Sequence, residues 1–482
     1  MPMGSPRTMS SNQSLLERLD NKQFQKELEA FKKQKVERVA TKTEIRKSYE
    51  VKQKSFVNQY AGLYFDRLMA LRKDLAQVAK EKWPDVPQVK KLISIPEGRC
   101  VLLGTVFKES KLRPSVLEEY TKSRSERKNE EISKYVSEDD SLVIEDNHAR
   151  IPLDFTGVTS EGKLPSVASL PTGIVLAVLG KNNTRNGEFV AEDIVFPGLP
   201  PVRENRKIPE DEQYVVLTSG LRIGAVTKQM DLQLMIDYII GLAGSSIDQN
   251  KAAKIAQVIV AGNSVVIEEE EDAEYAHFKK QTKDENDKRV NEGIKNAMQD
   301  MDLTFTSLAS SVNLIVMPGE DDPTNITLPQ NKLPKFFFRS AAAYSTFNCA
   351  TNPCGIEVNG RVLLGTSGQN IDNLAKYTNA DKDIDYLERT LQWRHLAPTA
   401  PDTLSCYAFK DGDPFVITEC PDIYFAGNQE AFSTKIIEGR EGNKVRLVMV
   451  PEFSKTSSVV LVNLKNLECK EITFKSTQLK SN

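Results

Sequence analysis

Histidine is the scarcest chemically useful side chain here: the 482 residues hold three, His148, His277 and His395. A two-metal hydrolytic centre draws several neutral imidazoles and carboxylates to one point, and three scattered histidines argue against one. Six cysteines include no CxxC pair, which excludes a vicinal redox dithiol and fits free thiols in a reducing compartment. No apolar run reaches the roughly 18–20 residues that span a bilayer. The opening MPMGSPRTMSSNQS lacks the apolar core of a secretory signal. Nor is there an excess of one charge. Lys+Arg number 64 and Asp+Glu 67, net −3, which argues against a chain held to nucleic acid mainly by its overall charge and leaves room for a local basic patch.

What is present describes a soluble globular chain of two or three domains, 39% hydrophobic and 27% charged. Residues 1–54 read as a flexible arm, basic from residue 14 onward, either solvated or contacting a partner. Residues 55–92 centre on an amphipathic helix that packs on the body. Tyr60, Tyr64, Leu68, Leu71, Leu75 and Val78 recur at steps of three and four, and Pro84 ends the pattern. Over 93–205 the period changes. RCVLLGTVF, SLVIED, HARIPLDF, GIVLAVLGKN and EFVAEDIVF read as five short strands, which suits a small closed β-barrel of the OB type. PGLPPVRENRKIPEDEQ is a polar, proline-rich boundary.

Residues 206–482 alternate strand and helix and then turn strand-rich. The expectation is an α/β fold, two sheets in a sandwich flanked by helices. The acidic run EEEEDAE at 268–274 reads as a solvated insertion.

Ligands of α/β domains sit beyond the carboxyl ends of strands. Four such ends carry glycine turns: TSGLRIG, AGNSVV, MPGEDDPTN and FAGNQEAF. That skeleton is the one a two-metal phosphoesterase uses, but the groups are wrong for it. Gly220 and Arg222 stand where an Asp-x-His pair belongs, and Asn263 and Val266 where carboxylates belong. Glu320, Asp321 and Asp322 follow Gly319 in place of Asn-His-Asp, and Asn428 and Glu430 replace two histidines. The expectation is a degenerate metal site with no catalytic residue, no bound metal and no cofactor. His395 is the only histidine on a segment expected near the turns. A remodelled site built from Asp321, Asp322, Glu320, Asn263 and His395 is the competing reading.

The longest unusual strings are DRLMALR (66–72), KYVSEDDSLVIED (134–146), MPGEDDPTN (317–325), HLAPTAPDTLSCYAF (395–409), DPFVITECPDIYFAGNQ (413–429) and VNLKNLECKEITF (462–474). On these the chain resembles the small regulatory B-subunits of eukaryotic replicative DNA polymerases, most closely the DNA polymerase delta type. The resemblance implies an OB fold joined to a calcineurin-like phosphoesterase domain, with archaeal relatives keeping the metal ligands that eukaryotic ones have lost. It implies a nuclear scaffold for DNA replication. Its partners would be the cysteine-rich C-terminal domain of the catalytic subunit and the N-terminal region of a third subunit, with indirect links to the sliding clamp and DNA. Tyr407, Phe409, Phe415, Tyr424 and Phe425 are candidate docking anchors. The barrel could also touch single-stranded DNA. Its strands are poor in aromatics (Phe107, Phe155, Phe189, Phe196), while Lys108, Lys111, Arg113, Lys122, Arg124, Arg127 and Lys128 supply a basic cluster.

Overall fold

A computed structural model describes residues 37–51, 57, 59–113, 134–156, 164–183, 186–203, 207–224, 229–266, 283–439 and 442–476. Strand β1 (Thr43–Ser48) precedes helix α1 (Ala61–Lys82). Strands β2 (Arg99–Glu109), β3 (Ser141–Glu145), β4 (Arg150–Asp154), β5 (Val175–Asn183) and β6 (Glu188–Val195) close a barrel in the order β2-β3-β4-β6-β5. Then come β7 (Tyr214–Thr218), α2 (Gln229–Ile240), α3 (Ser246–Ala253), β8 (Ile255–Ala261), α4 (Lys283–Ala309), β9 (Asn313–Met317) and β10 (Phe347–Cys349). The chain continues through β11 (Cys354–Val358), β12 (Arg361–Thr366), α5 (Gln369–Tyr377) and α6 (Asp383–Gln392). It closes with β13 (Ile423–Gln429), β14 (Ser433–Glu438), β15 (Lys444–Pro451), α7 (Phe453–Thr456), β16 (Ser458–Asn463) and β17 (Cys469–Thr473).

Strand β1 and strands β7 to β17 build two six-stranded sheets, β1-β11-β12-β13-β15-β14 and β10-β9-β8-β7-β16-β17. Side chains alternate across each strand. Val215, Leu217, Ile259, Ile315 and Met317 of the second sheet meet Ile356, Leu363, Ile423, Phe425 and Val448 of the first in the inter-sheet core. Val216, Val258, Val260, Leu314 and Val316 turn the other way, against Met235, Ile236 and Ile239 of α2 and Met301, Phe305 and Leu308 of α4. The outer face of the first sheet (Tyr424, Ala426, Leu447, Met449) packs with Ile371 and Leu374 of α5 and Leu387 and Leu391 of α6, in a core continuous with the barrel interior.

Helix α1 lies along the barrel wall. Leu68, Leu71, Leu75, Ala79 and Trp83 pack on Val101, Leu103, Val175, Ala177 and Leu179. Lys80 and Lys82 sit in its last turn, where the helix dipole favours cations. The buried stripe begins at Leu63, while Tyr60 stays 51% exposed and lends its hydroxyl to the carbonyl of Cys406 at 3.0 Å.

Of the segment expected to be a flexible arm, residues 1–36 and 52–54 lie outside the described residues, and the described part requires correction. Thr43–Ser48 is a strand, paired antiparallel with β11 at the edge of the first sheet. It was hidden because its residues alternate half-buried and exposed, and no apolar run marks them. Tyr49 is buried beyond it, its amide bonded to Thr351 Oγ1 at 3.1 Å.

Arg67 of α1 is the most buried cation among the described residues, 1% exposed. Its Nε donates to Asp413 Oδ2 (2.8 Å), Nη1 to the carbonyls of Gly173 (2.7 Å) and Pro398 (2.9 Å), and Nη2 to that of Ala400 (2.8 Å). Gly173 (φ +89°) makes room for it, since a Cβ there would lie 2.6 Å from Nη1 and 2.1 Å from the Pro398 oxygen. Arg67→Met leaves Asp413 buried without its guanidinium and is expected to cost about 3–5 kcal/mol, read as a lower denaturant midpoint. Arg67→Lys recovers little of it, because an ammonium cannot reproduce the planar fork.

Candidate functional site

The glycine turns do meet. The turn after β7 takes left-handed backbone at Gly220 (φ +60°) and Arg222 (φ +45°), the turn after β8 at Asn263 (φ +52°), and the turn in β13 at Asn428 (φ +55°). The Gly220 amide donates to the Gly262 carbonyl (2.9 Å), and the Arg222 amide to that of Asn263 (3.1 Å). A Cβ on Gly220 would fall 2.3 Å from Glu452 Cγ and 3.0 Å from Asn428 Oδ1, so only glycine fits this crossing.

The side chains expected at these turns take structural roles. Arg222 lies between two carboxylates, its Nε on Glu452 Oε1 at 2.6 Å and its Nη2 on Asp321 Oδ2 at 2.9 Å. Partial burial works against its charge, but Glu452 and Asp321 outweigh that and hold its pKa above the ordinary value. Glu452 also pairs with Lys455 and, despite its burial, is held below the usual carboxylate range by Lys455 and Arg222. Asn263 Oδ1 accepts the Asp321 amide (3.1 Å). Asp322 is buried, its Oδ1 accepting the amides of Ser264 (2.8 Å) and Val265 (3.2 Å) and its Oδ2 that of Gly319 (2.8 Å). Burial pushes Asp322 up to about 6 against the pull of those amides. Asn428 Nδ2 donates to the carbonyls of Ala261 (3.1 Å) and Ser367 (2.8 Å). Its Oδ1 is buried without a hydrogen-bond partner among the described residues. Val266 uses its amide on the Ile223 carbonyl (3.0 Å), and Glu320 and Glu430 are exposed.

Beneath the third turn lies a carboxamide lattice that sequence reasoning missed. Gln330 Oε1 accepts from Asn352 Nδ2 (2.8 Å) and Gln369 Nε2 (2.9 Å), while Gln330 Nε2 donates to the Gly319 carbonyl (2.8 Å). Asn352 Oδ1 accepts the Ser367 amide (2.9 Å). The available signal was the string RVLLGTSGQN, an apolar strand running into a fifth glycine turn. Glu452, after β15, was missed for want of any glycine to mark it.

A pair of divalent cations does not fit this donor set. Among the turn positions Asp321, Asp322 and Glu452 are already matched to Arg222, Lys455 or backbone amides, while Glu320 and Glu430 face solvent. The buried oxygens left without a partner at these turns, on Asn428 and Ser264, are a neutral amide and a hydroxyl. No group of three or more His, Cys, Asp or Glu able to share a metal occurs among the described residues.

His395 is not in this cleft. It is buried beside Phe415, with Nε2 on Asp413 Oδ2 (2.9 Å) and Nδ1 accepting the Ala397 amide (3.2 Å), which makes the neutral Nε2–H tautomer the one that satisfies both. His148 is exposed on the barrel. His277 and the acidic run at 268–274 lie outside the described residues.

The docking anchors divide. Phe415, Tyr424 and Phe425 are at most 1% exposed, core residues that no partner reaches, because they sit on sheet and loop faces covered from both sides. Tyr407 and Phe409 are half-buried and pack edge-on, 6.4 Å apart. Two residues of the barrel's basic cluster are spent inside the molecule. Lys108 is buried against Asp140 (3.2 Å) and the Tyr377 carbonyl (3.1 Å), and Arg113 grips Asp402 (2.8 Å). Lys111 is exposed, and Lys122, Arg124, Arg127 and Lys128 lie outside the described residues. Of the aromatics, Phe189 is core, Phe155 and Phe196 pack on that core, and Phe107 carries Arg150 over its ring at 4.7 Å.

Two family models match this architecture. The DNA polymerase delta subunit OB-fold domain covers residues 59–194, and the DNA polymerase alpha/epsilon B-subunit family covers 215–434. The chain is 40% identical over 424 residues to the DNA polymerase delta small subunit of Arabidopsis thaliana, covering 87% of this chain and 92% of the relative. It is 40% identical to that of Oryza sativa subsp. japonica (87% and 94% covered) and 35% identical to DNA polymerase delta subunit 2 of Drosophila melanogaster (88% and 95% covered). The chain belongs to the DNA polymerase delta small subunit family. The closed barrel is the OB-fold domain of this family member. No helix among its described residues is long and apolar enough to cross a membrane.

Two outcomes follow for this small subunit. Asp322→Asn turns one acceptor into a donor facing a buried amide, and is expected to lower stability by about 1–3 kcal/mol in urea unfolding. His395 has its pKa lowered from 6.5 to about 4, mainly by burial and then by Arg67. Below pH 6.5 the unfolded chain binds a proton that the folded chain refuses until about pH 4, so stability present above 6.5 is lost as pH falls through that window. Asp322 titrates in the same window with the opposite sign. The test is therefore the difference in urea midpoints between wild type and His395→Gln from pH 7 to 5, which is expected to narrow as pH drops.

Proposed function

We propose that this chain is a non-catalytic accessory subunit of the replicative DNA polymerase delta complex. The observation that carries the reading is Arg222, whose guanidinium is bonded to Asp321 and Glu452 at the strand ends where a hydrolase would hold cations. A fixed positive charge there repels a metal and needs no ligand from solution. The two-sheet body is read as an inactive calcineurin-like phosphoesterase domain over residues 206–482, with the OB domain over 93–205, the helical segment over 55–92 and the N-terminal arm over 1–54. The sites at Gly220, Arg222, Asn263, Val266, Glu320, Asp321, Asp322, Asn428 and Glu430 are read as former ligand positions.

The role follows from rigidity. Barrel, helix and sandwich share buried ion pairs and one continuous core, so a partner bound to one domain is held in register with a partner bound to the other. The partners proposed are the cysteine-rich C-terminal domain of the catalytic subunit and the N-terminal region of the third subunit, with action in the nucleus during DNA replication. Names of relatives at 35–40% identity over most of the chain support this assignment.

Highly purified protein is expected to hydrolyse no phosphodiester with Mn²⁺ above the buffer rate, and to form a stoichiometric complex with the polymerase catalytic subunit on co-expression. Mn²⁺-dependent turnover that disappears in Asp322→Ala, or failure to form the complex, would refute the reading.

A further inference from the structure

One face between β9 and β11 has a composition unlike the rest of the chain. From Asp322 to Glu357 no acidic residue intervenes, in a protein with 67 of them, while Lys332, Lys335 and Arg339 all fall inside that interval. Phe336 stands 71% exposed between Lys335 and Arg339, which are exposed too, and neither cation has a carboxylate partner among the described residues. Tyr344 is 40% exposed nearby in sequence, after exposed Ala342 and Ala343.

This apolar surface is held, not loose. Phe338 is fully buried against Phe305 (ring centroids 5.9 Å apart) and Phe347 (4.9 Å). Asp302 of α4 accepts the amides of Ser340 and Ala341, each at 2.9 Å. Phe336 itself leans edge-on against Phe337 at 4.3 Å. A large apolar ring fixed in solvent, flanked by cations with no carboxylate partner among the described residues and with no acid beside it in sequence, has the features of an interface anchor. Charge complementarity selects an acidic occupant. A single-strand platform would instead need a track of cations along a groove with free ring faces. Here one ring packs against another, two cations are unpaired among the described residues, and the neighbouring alanines offer a phosphate nothing.

We propose that the Lys335–Tyr344 face docks an acidic polypeptide segment with an apolar anchor side chain, supplied by another subunit of the polymerase assembly. This rests on the accessory-subunit reading. The test places photoreactive p-benzoylphenylalanine at position 336 of the full chain, assembled with the catalytic and third subunits, and maps cross-links by mass spectrometry. A cross-link to one net-negative segment containing a large apolar residue is expected, with its yield falling about tenfold in Lys335→Glu/Arg339→Glu, while the melting temperature of the isolated chain stays unchanged. Cross-links confined to this chain, to added primer–template DNA or to a basic segment overturn the proposal, as does a yield indifferent to charge reversal. An assembly that forms without a cross-link at 336 sinks the docking face alone, whereas failure to assemble sinks the accessory-subunit reading with it.

Discussion

The architecture depends on one buried guanidinium. Arg67 leaves helix α1 and is satisfied only when the Gly173 carbonyl beside the barrel, the Pro398 and Ala400 carbonyls and the Asp413 carboxylate arrive together. A charge taken out of water is tolerable when its donors are all matched, and costly when any one is missing. Helix, barrel and sandwich are therefore coupled by electrostatics as well as apolar contact. His395 completes the arrangement as a neutral ring donating to the same carboxylate. Arg394 repeats the device on a smaller scale, reaching the carbonyls of Gly198 (2.9 Å) and Leu199 (2.8 Å) and the carboxylate of Asp74. Both arginines read backbone oxygens, which fixes domain placement to within a hydrogen-bond length.

The cleft shows how geometry and chemistry separate. Left-handed turns at Gly220, Arg222, Asn263 and Asn428 persist because the crossing of strand ends leaves room for no other backbone. A metal centre needs carboxylates held apart, each short of a partner until the ion arrives. Here Asp322 is saturated by amides, while Asp321 and Glu452 share Arg222. These charges are neutralised from within the protein, which leaves the crossing of strand ends stiff.

The sequence was legible where periodicity was strong. The barrel strands, β7, β8, β9 and the late strands stand out as apolar runs between glycine or proline turns, and the turns at 220, 263, 319 and 428 were visible as strand-end glycines. Most of what escaped was short or polar. β10, three residues long, was hidden by its brevity, whereas β12 (RVLLGT) is an apolar run that was passed over. β1 is a strand by pairing alone, its side chains half in water. The carboxamide lattice of Gln330, Asn352 and Gln369 carries no charge pattern to notice. Phe415, Tyr424 and Phe425 looked like anchors because composition does not tell an inner face from an outer one, and burial decides that only once the sheets are stacked.

The N-terminal arm shows why a run of basic residues is a weak guide to a partner. Three of its four described cations bind the chain itself. Arg38 reaches the carbonyls of Ile239 (2.6 Å) and Ala252 (3.2 Å), Lys47 that of Pro414 (2.9 Å), and Arg46 pairs with Glu419 (2.9 Å). These contacts run from the carboxyl ends of α2 and α3, where backbone oxygens are unsatisfied and the dipole is negative, across to the loop before β13. Between them β1 covers the outer edge of β11, which would otherwise offer its free amides and carbonyls to any passing strand. The arm's positive charge thus does the work of a clasp. Surfaces left for other proteins are then better sought where cations and aromatics remain exposed after every internal demand has been met.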